Sequence, residues 1–209
     1  MEDALKQDPN MMLFDVGCNI GVYTVWAAAM DKQVVCVEMV LANVLRVQMA
    51  LALSNLSSHV TIVNNALYSD HRELEIKFYK NSNGQSRLNS SKVYTPEQWD
   101  NSRAGFKVKT ICIDDLTPLM SGKPVFIKMD IENTEQFALM CAHRFFKAVD
   151  VRIVQMEWVV HVDAESAPIL DFMRVHGYAS SSSSKSYRPL SLAQYSGDVY
   201  FLKKSFFNI

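Results

Sequence analysis

The sequence predicts an α/β fold, in which helices cover both faces of a mostly parallel central sheet. Short apolar runs rich in β-branched residues alternate with longer segments whose apolar residues recur at helical spacing. Alternation of buried strands and helices is typical of parallel sheets, because each crossover helix packs against a face of the sheet. The length of 209 residues favours one domain that spans 1–209.

The predicted strands and helices follow one another along most of the chain. Five buried strands are predicted at 11–16, 34–38, 60–63, 124–129 and 151–156, and two weaker ones near 178–182 and 199–203. Helices are predicted at 22–30, 41–56, 134–146 and 164–176. Ligands of such sheets bind beyond the carboxyl ends of the strands, so we expect the functional residues there.

The strand–helix alternation breaks at about 70–115, which we interpret as an insertion in the domain. Leu74, Ile76 and Phe78 alternate with charged residues, and 106–113 alternates again, which predicts two strands with one solvated face each. These strands either pair with each other or extend a sheet as an inserted hairpin. The polar segment 81–99 between them predicts a long mobile loop that shapes an entrance.

Composition excludes several classes of protein. Hydrophobic residues make up 49% of the chain, enough for a sizeable core, and the net charge of -1 provides no overall attraction to nucleic acid or anionic membranes. No apolar run is long enough to span a membrane, and the polar N-terminus resembles no signal peptide. The cysteines form no CxxC pair, so we expect buried, reduced thiols and a cytoplasmic protein.

A glycine-containing turn follows the first predicted strand and opens a helix. Gly17 and Gly21 permit a tight turn and the close approach of a ligand to the backbone. Glu38 ends the second strand 21 positions after Gly17, where an acidic residue commonly holds ribose hydroxyls. Together, the glycines, the strand context and this carboxylate predict an adenosine-type ligand.

The spacing of the turn distinguishes S-adenosylmethionine from NAD. A dinucleotide fingerprint has the spacing GxGxxG, whereas this turn reads GxxxG, with Asn19 at its centre and Asp15 before it. The Asp15 carboxylate would repel a pyrophosphate but attract the ammonium group of a methionine moiety. We therefore expect S-adenosylmethionine as the cofactor, and the GxxxG spacing argues against an NAD-dependent enzyme.

Two segments resemble the motifs of FkbM-type methyltransferases. FDVGCNIGVYT at 14–24 is similar to the family's VDVGANIGxYT, and FIKMDIENTE at 126–135 is similar to its LIKIDVEGAE. Weaker likenesses lie at 65–67, 85–88 and 154–158, in the family's order. The chain departs from the family pattern at Asn133, where glycine is usual.

The resemblance implies a Rossmann-like class I methyltransferase fold and S-adenosylmethionine as methyl donor, often for O-methylation of sugars or natural products. It also implies that Asp130 faces the methyl donor. By position, the other implied cofactor contacts are Asp15, Gly17, Asn19 and Gly21 at the methionine end, Glu38 at the ribose, and Asn65 and Ala66 near the adenine.

The candidate catalytic residues are Asp130, Glu157 and His161. An alcohol must lose its proton near the transition state of methyl transfer, and neighbouring strands would let Asp130 and Glu157 converge. Glu132 would point the same way as Asp130 if the segment were extended. We expect metal-independent catalysis, with magnesium the alternative use of the two carboxylates. Trp158 is the aromatic candidate for an acceptor pocket.

We expect the chain to methylate a hydroxyl on a sugar or other small molecule. One alternative is a methyltransferase-like binding module that has lost catalysis, for which the departure at Asn133 leaves room. Another is a nucleic-acid methyltransferase, including a ribose 2'-O enzyme. The absence of a [DNS]-P-P-[YFW] motif and the slightly negative net charge weaken that alternative.

Overall fold

The structure, a computed structural model, describes residues 1–78, 86–88, 105–158, 166–190 and 197–209. The predicted loop at 81–99 lies outside these ranges except for 86–88, and so does His161. None of the described helices is long and apolar enough to cross a membrane.

The elements alternate as the sequence predicts. The helices are α1 (Glu2–Gln7), α2 (Val22–Ala29), α3 (Leu41–Leu53), α4 (Thr117–Met120), α5 (Glu135–Leu139), α6 (His143–Ala148), α7 (Ser166–Val175) and α8 (Lys204–Phe207). The strands are β1 (Met12–Val16), β2 (Val34–Val37), β3 (Val60–Val63), β4 (Ala66–Leu67), β5 (Glu73–Phe78), β6 (Ser86–Leu88), β7 (Phe106–Ile111), β8 (Pro124–Met129), β9 (Asp150–Glu157), β10 (Tyr178–Ser181) and β11 (Asp198–Lys203).

Within the described residues, the main sheet has seven strands in the order β10-β11-β9-β8-β1-β2-β3. Strands β3, β2, β1, β8 and β9 are parallel, whereas β11 runs antiparallel to both of its neighbours. Val16 is in register with Val37 and with Met129, so β1, β2 and β8 end at the same level. The predicted, mostly parallel sheet is confirmed, and its carboxyl edge brings several chain turns together.

The core lies on both faces of this sheet. Successive residues of a strand point to opposite faces, and Leu13 and Phe14 of β1 accordingly belong to different clusters. Phe14 packs with Phe145 of α6, and its cluster also contains residues of α5 and α7. Leu13 shares the other cluster with Val47 of α3 and with residues of α1 and α2. Helices therefore cover both faces, as predicted.

The strands of the predicted insertion pair with each other. β5 runs antiparallel to β7, from Glu73 opposite Lys109 to Ile76 opposite Phe106, and β6 pairs with β5. β4 lies parallel to β7 and completes a second, four-stranded sheet among the described residues. Of the two arrangements left open by the sequence, pairing of the two strands with each other is correct.

The expectation of reduced thiols is wrong, because the structure joins Cys18 to Cys36 and Cys112 to Cys141 as disulfides. Parallel pairing of β1 with β2 places the turn after β1 beside Cys36, and the Cα atoms of this pair lie 5.9 Å apart. The partners are 18 and 29 positions apart in sequence, so their proximity comes from the fold alone. The thiol argument for a reducing compartment therefore no longer holds.

The single helix predicted at 134–146 is two helices, α5 and α6. The chain between them is held from outside the segment, since the Asp114 N–H donates to the Cys141 carbonyl at 3.0 Å. The Asp114 carboxylate also accepts the N–H of Phe145 at 2.7 Å. These long-range bonds satisfy backbone groups at the break, which local periodicity does not reveal.

Candidate active site

A cleft with about 660 Å³ of empty space, counting the part that is open solvent, lies at the carboxyl ends of β1, β2 and β8, and β4 forms one of its walls. By that measure we call it the larger cleft. It is lined by Gly17, Asn19, Val37, Glu38, Met39, Asn43, Asn65, Ala66, Leu67, Asp130, Ile131, Glu132 and Thr134. Most of the predicted cofactor-binding residues thus meet in one cavity, although four separate chain segments supply them.

The turn after β1 passes very close to the end of β8. Gly17 has φ of 81°, and a Cβ atom there would lie 2.0 Å from the backbone oxygen of Asp130. The Asp130 N–H donates to the Val16 carbonyl at 3.0 Å. Glycine is therefore required at this position both by its left-handed backbone and by the contact with β8.

Two residues of the predicted set, Asp15 and Gly21, are absent from the lining of the larger cleft. Gly21 precedes α2, and a Cβ atom there would meet Val47 of α3 at 2.7 Å, so this glycine serves helix packing. Asp15 is fully buried beneath the turn, where its Oδ2 accepts the hydroxyl of Thr24 at 2.7 Å. Burial raises the pKa of Asp15, although the nearby Lys128 ammonium opposes this rise.

Glu38 joins two loops and also faces the larger cleft. Its Oε2 accepts the N–H of Asn19 at 2.9 Å and its Oε1 accepts the N–H of Val40 at 2.8 Å. The residue is 6% exposed, and burial raises the pKa of its carboxyl while the backbone N–H groups oppose that rise. Each carboxylate oxygen can accept a further hydrogen bond, so Glu38 can still receive two hydroxyl donors.

Asn65 and Ala66 form the wall of the larger cleft opposite the turn after β1. The Asn65 side-chain amide donates to the Lys109 carbonyl at 3.2 Å, which ties this wall to β7 of the second sheet. Ala66 is buried at the start of β4. The neighbouring Asn64 amide donates to the Glu38 carbonyl at 2.8 Å and so links this wall to the end of β2.

The turn after β8 is not extended, so strand alternation cannot be the reason that Asp130 and Glu132 both line the larger cleft. Strand β8 ends at Met129, and Glu132 and Asn133 have φ of 58° and 72°. Strand alternation does not apply to residues in the left-handed region. Asparagine is among the non-glycine residues most often found there, so Asn133 occupies the family's glycine position while keeping the turn.

Glu135 holds this turn from the first position of α5. Its buried carboxyl accepts the N–H of Ile131 at 2.9 Å, and the Thr134 hydroxyl donates to the Ile131 carbonyl at 2.9 Å. Burial raises the pKa of Glu135 to about 7, and the nearby carboxylates of Asp130 and Glu132 contribute to the rise. Glu135 therefore stabilises this turn through a buried hydrogen bond to Ile131.

This raised pKa predicts a pH-dependent stability. Since the folded protein binds the Glu135 proton more tightly than the unfolded chain, stability should fall as pH rises from about 4.5 to about 7 and stay lower above it. Glu135→Gln keeps an acceptor for Ile131 but cannot ionise. At pH 8 it should raise the free energy of unfolding, measured with urea, by up to about 3 kcal/mol.

At pH 4.5 the Glu135→Gln variant and the wild type should be nearly equally stable. The matched control is Glu2→Gln, which removes an exposed surface carboxylate. A gain of the same size at both pH values, or an equal gain in the control, would contradict the assignment.

A second cavity of about 430 Å³ adjoins Asp130 on the α2 side of the sheet, and we call it the smaller cleft. It is lined by Tyr23, Lys128, Met129, Asp130, Gln155, Glu157 and Asp198. The Lys128 ammonium lies 3.2 Å from Asp130 Oδ2 and 4.8 Å from the centre of the Tyr23 ring. Asp130 belongs to the walls of both clefts, with its side chain 37% exposed.

Glu157, the second candidate base, lines the smaller cleft with Asp130. It ends β9 and lies opposite Asp198 of β11 in the antiparallel register. Burial raises the pKa of Glu157, and the negative charges of Asp130 and Glu132 raise it further. Trp158 follows on the other face of the sheet, fully buried and edge-on to Phe201, so its predicted place in an acceptor pocket is wrong.

Sequence reasoning missed four residues of the smaller cleft: Tyr23, Lys128, Gln155 and Asp198. A signal existed for two of them, because Lys128 interrupts an otherwise apolar strand and Gln155 lies between the apolar residues Val154 and Met156. They are adjacent across β8 and β9, and both are buried. A buried polar residue in the middle of an apolar run usually has a specific partner.

The sheet order, the glycine turn and the clefts at the carboxyl edge are those of the Rossmann-like class I methyltransferase fold. The Methyltransferase FkbM domain model matches residues 15–180. The chain therefore belongs to the FkbM methyltransferase family, and this family and fold support S-adenosylmethionine as the cofactor.

Solved structures share this fold at low identity. Methyltransferase FkbM from Methylobacillus flagellatus KT has 17% identity and a TM-score of 0.52, over 91% of this chain and 43% of that one. Magnesium protoporphyrin IX methyltransferase from Synechocystis PCC 6803, with bound S-adenosylhomocysteine, has 11% identity and a TM-score of 0.50, over 96% and 79%. The chain thus spans less than half of the first protein's length. No curated protein matches it.

Proposed function

We propose that the protein transfers a methyl group from S-adenosylmethionine to a hydroxyl of a sugar or another small molecule. The observation that carries this proposal is the position of Asp130, which is shared by the larger and the smaller cleft. A carboxylate at such a boundary can contact a donor on one side and an acceptor on the other. The proposed reaction therefore takes place where the two clefts meet.

The residues of the larger cleft fit S-adenosylmethionine. Glu38 has free acceptor capacity for two ribose hydroxyls, and Asn65 and Ala66 would lie beside the adenine. Gly17 and Asn19 would lie at the methionine end, with Asp130 facing it. When bound, the cofactor supplies a methyl group made electrophilic by its sulfonium.

Asp15 and Gly21 act indirectly in this proposal. Gly21 lets α2 pack against α3, and Asp15 orders the turn from below through Thr24. The second carboxylate oxygen of Asp15 is buried and has no hydrogen-bond partner among the residues that the structure describes. This oxygen keeps its acceptor capacity directly under the turn, outside the lining of the larger cleft.

Asp130 is the proposed general base and Glu157 the assisting carboxyl, with His161 at a position outside the described residues. The Lys128 ammonium lies 3.2 Å from Asp130 Oδ2 and orients this carboxylate. Burial raises the pKa of Glu157, and the negative charge of Asp130 raises it further. In this proposal the Asp130 carboxylate accepts the proton of an acceptor hydroxyl.

The proposed catalysis needs no metal ion. Among the described residues, His71, Cys112 and Asp115 place three candidate ligand atoms within 4.8 Å of one another. Cys112 is engaged in a disulfide. Asp130 and Glu157 are not members of that group. We therefore propose proton acceptance as the role of this pair, with magnesium binding through the two carboxylates as the alternative to be tested.

Calorimetry on the purified chain tests the donor assignment. S-adenosylmethionine and S-adenosylhomocysteine should bind with one-to-one stoichiometry, whereas NAD should produce no binding heat, because the GxxxG turn lacks the GxGxxG spacing that holds a pyrophosphate. Binding of NAD alone would contradict the proposal. Binding of S-adenosylhomocysteine without turnover on any acceptor would instead favour a binding module that has lost catalysis.

A further inference from the structure

We infer that the smaller cleft selects an acceptor that carries a cationic amino group beside its hydroxyls, as amino sugars do, and that it excludes anionic acceptors. This inference rests on the proposed function, because it assigns the acceptor class of the same active site. It follows from the hydrogen-bonding groups and the charges that the smaller cleft presents.

The smaller cleft presents three carboxylates that come from three strand ends. Asp130 follows β8, Glu157 ends β9, and Asp198 begins β11 directly opposite Glu157. An ionised carboxylate only accepts hydrogen bonds. A ligand that binds among these groups must therefore bring N–H or O–H donors.

Gln155 provides an independent indication of the same requirement. The residue is 5% exposed, and its amide nitrogen donates to Asp198 Oδ2 at 2.7 Å. Because Asp198 can only accept, this bond fixes the orientation of the amide and leaves Oε1 as the free end. Oε1 is buried and has no hydrogen-bond partner among the described residues. A buried acceptor without a donor is unfavourable, so a donor-bearing ligand would satisfy it.

The charges of the smaller cleft favour a cation. Against three carboxylates stands one ammonium, that of Lys128, which is already engaged by Asp130 and by the face of Tyr23. The described lining thus has an excess of two negative charges. Burial raises the pKa of Glu157, and the negative charges of Asp130 and Asp198 raise it further.

The affinity of such a lining for an acceptor should depend on the charge of that acceptor. An ammonium group would contact carboxylates without displacing Lys128 from Asp130, and neighbouring hydroxyls could donate to Gln155 Oε1. A phosphate or carboxylate would face repulsion and would bring no donors. The phosphodiester backbone of a nucleic acid would be disfavoured for the same reason.

Three sugars that differ at one group test this inference: glucosamine, glucose and glucuronate. Their dissociation constants are measured by calorimetry at pH 6.5, with and without saturating S-adenosylhomocysteine, at 20 mM and 500 mM salt. Glucosamine should bind roughly tenfold more tightly than glucose at low salt, and glucuronate should show no binding. The preference should shrink at high salt.

Asp198→Asn connects the preference to this cleft. The variant removes one carboxylate but keeps an oxygen that can accept from Gln155, and Asp198 does not line the larger cleft. It should reduce the glucosamine preference several-fold while the affinity for S-adenosylhomocysteine stays the same. The matched control Asp171→Asn changes an exposed aspartate on α7 and should leave the preference unaltered.

The outcomes separate this inference from the proposed function. Equal affinity for the three sugars, tighter binding of glucuronate, no binding of glucosamine, or an unchanged preference in Asp198→Asn would each overturn the inference. If S-adenosylhomocysteine binds in any of those cases, the donor assignment survives. Failure of S-adenosylhomocysteine to bind would overturn the proposed function, and the order of the sugars would still decide the charge selectivity.

Discussion

Asp130→Asn should lower the rate of methyl transfer by roughly 10²–10⁴-fold, the usual contribution of a general base. The substitution keeps the shape of the side chain and removes its negative charge. It should change the affinity for S-adenosylhomocysteine little, because the backbone at this position, which contacts Gly17 and Val16, stays in place. The Lys128 ammonium would lose its charged partner and remain in the wall of the smaller cleft.

The measurement is the release of S-adenosylhomocysteine at saturating donor with an amino-sugar acceptor on which the wild type turns over. Donor affinity is determined separately by calorimetry. Asp171→Asn on the surface of α7 serves as the matched control. Full activity in Asp130→Asn would show that Asp130 is not the general base. A loss of donor binding in parallel with the loss of activity would show that Asp130 acts only by binding the donor in the larger cleft.

Addition of EDTA to the wild type distinguishes the two uses of the Asp130 and Glu157 carboxylates. Activity should be unchanged if Asp130 acts as a base. Loss of activity that magnesium restores would instead make the pair cation ligands, since magnesium commonly binds through one or two carboxylates and several waters.

Glu38→Ala should weaken the binding of S-adenosylhomocysteine by about 1–3 kcal/mol, which corresponds to roughly 5–150-fold in the dissociation constant. The ribose hydroxyls of the ligand would lose a buried, charged acceptor. The substitution also leaves the N–H groups of Asn19 and Val40 without their side-chain partner. Part of the loss would therefore come from a less ordered turn after β1.

A second variant separates these two contributions. Asn43→Ala removes the hydrogen bond from the Asn43 amide to Asn19 Oδ1, which also orders this turn, and a side-chain contact to Glu38, but it keeps the Glu38 carboxylate itself. It should weaken the ligand less than Glu38→Ala does. The unfolding midpoint of each ligand-free variant shows whether the fold persists. An unchanged affinity for S-adenosylhomocysteine in a folded Glu38→Ala variant would contradict the assignment of Glu38 to the ribose.

Local sequence patterns were sufficient to predict the parallel strands of the main sheet and the residues at their ends that line the larger cleft. Buried β-branched runs predict parallel strands, and the positions of Gly17 and Glu38 at the ends of adjacent strands follow from that order. Such features depend on local chain geometry and on spacing within one strand–helix–strand unit. For the same reason, the resemblance at 14–24 and 126–135 located Asp130 at the edge of the sheet.

The composition of the smaller cleft depends on contacts between strands that are far apart in sequence. Asp198 meets Glu157 because β11 returns antiparallel beside β9, and Lys128 meets Gln155 through the register of β8 with β9. Long-range contacts also bring the paired cysteines together and bury Trp158 in the core. Local periodicity specifies which face of a strand is buried, but it carries no information about which distant strand lies beside it.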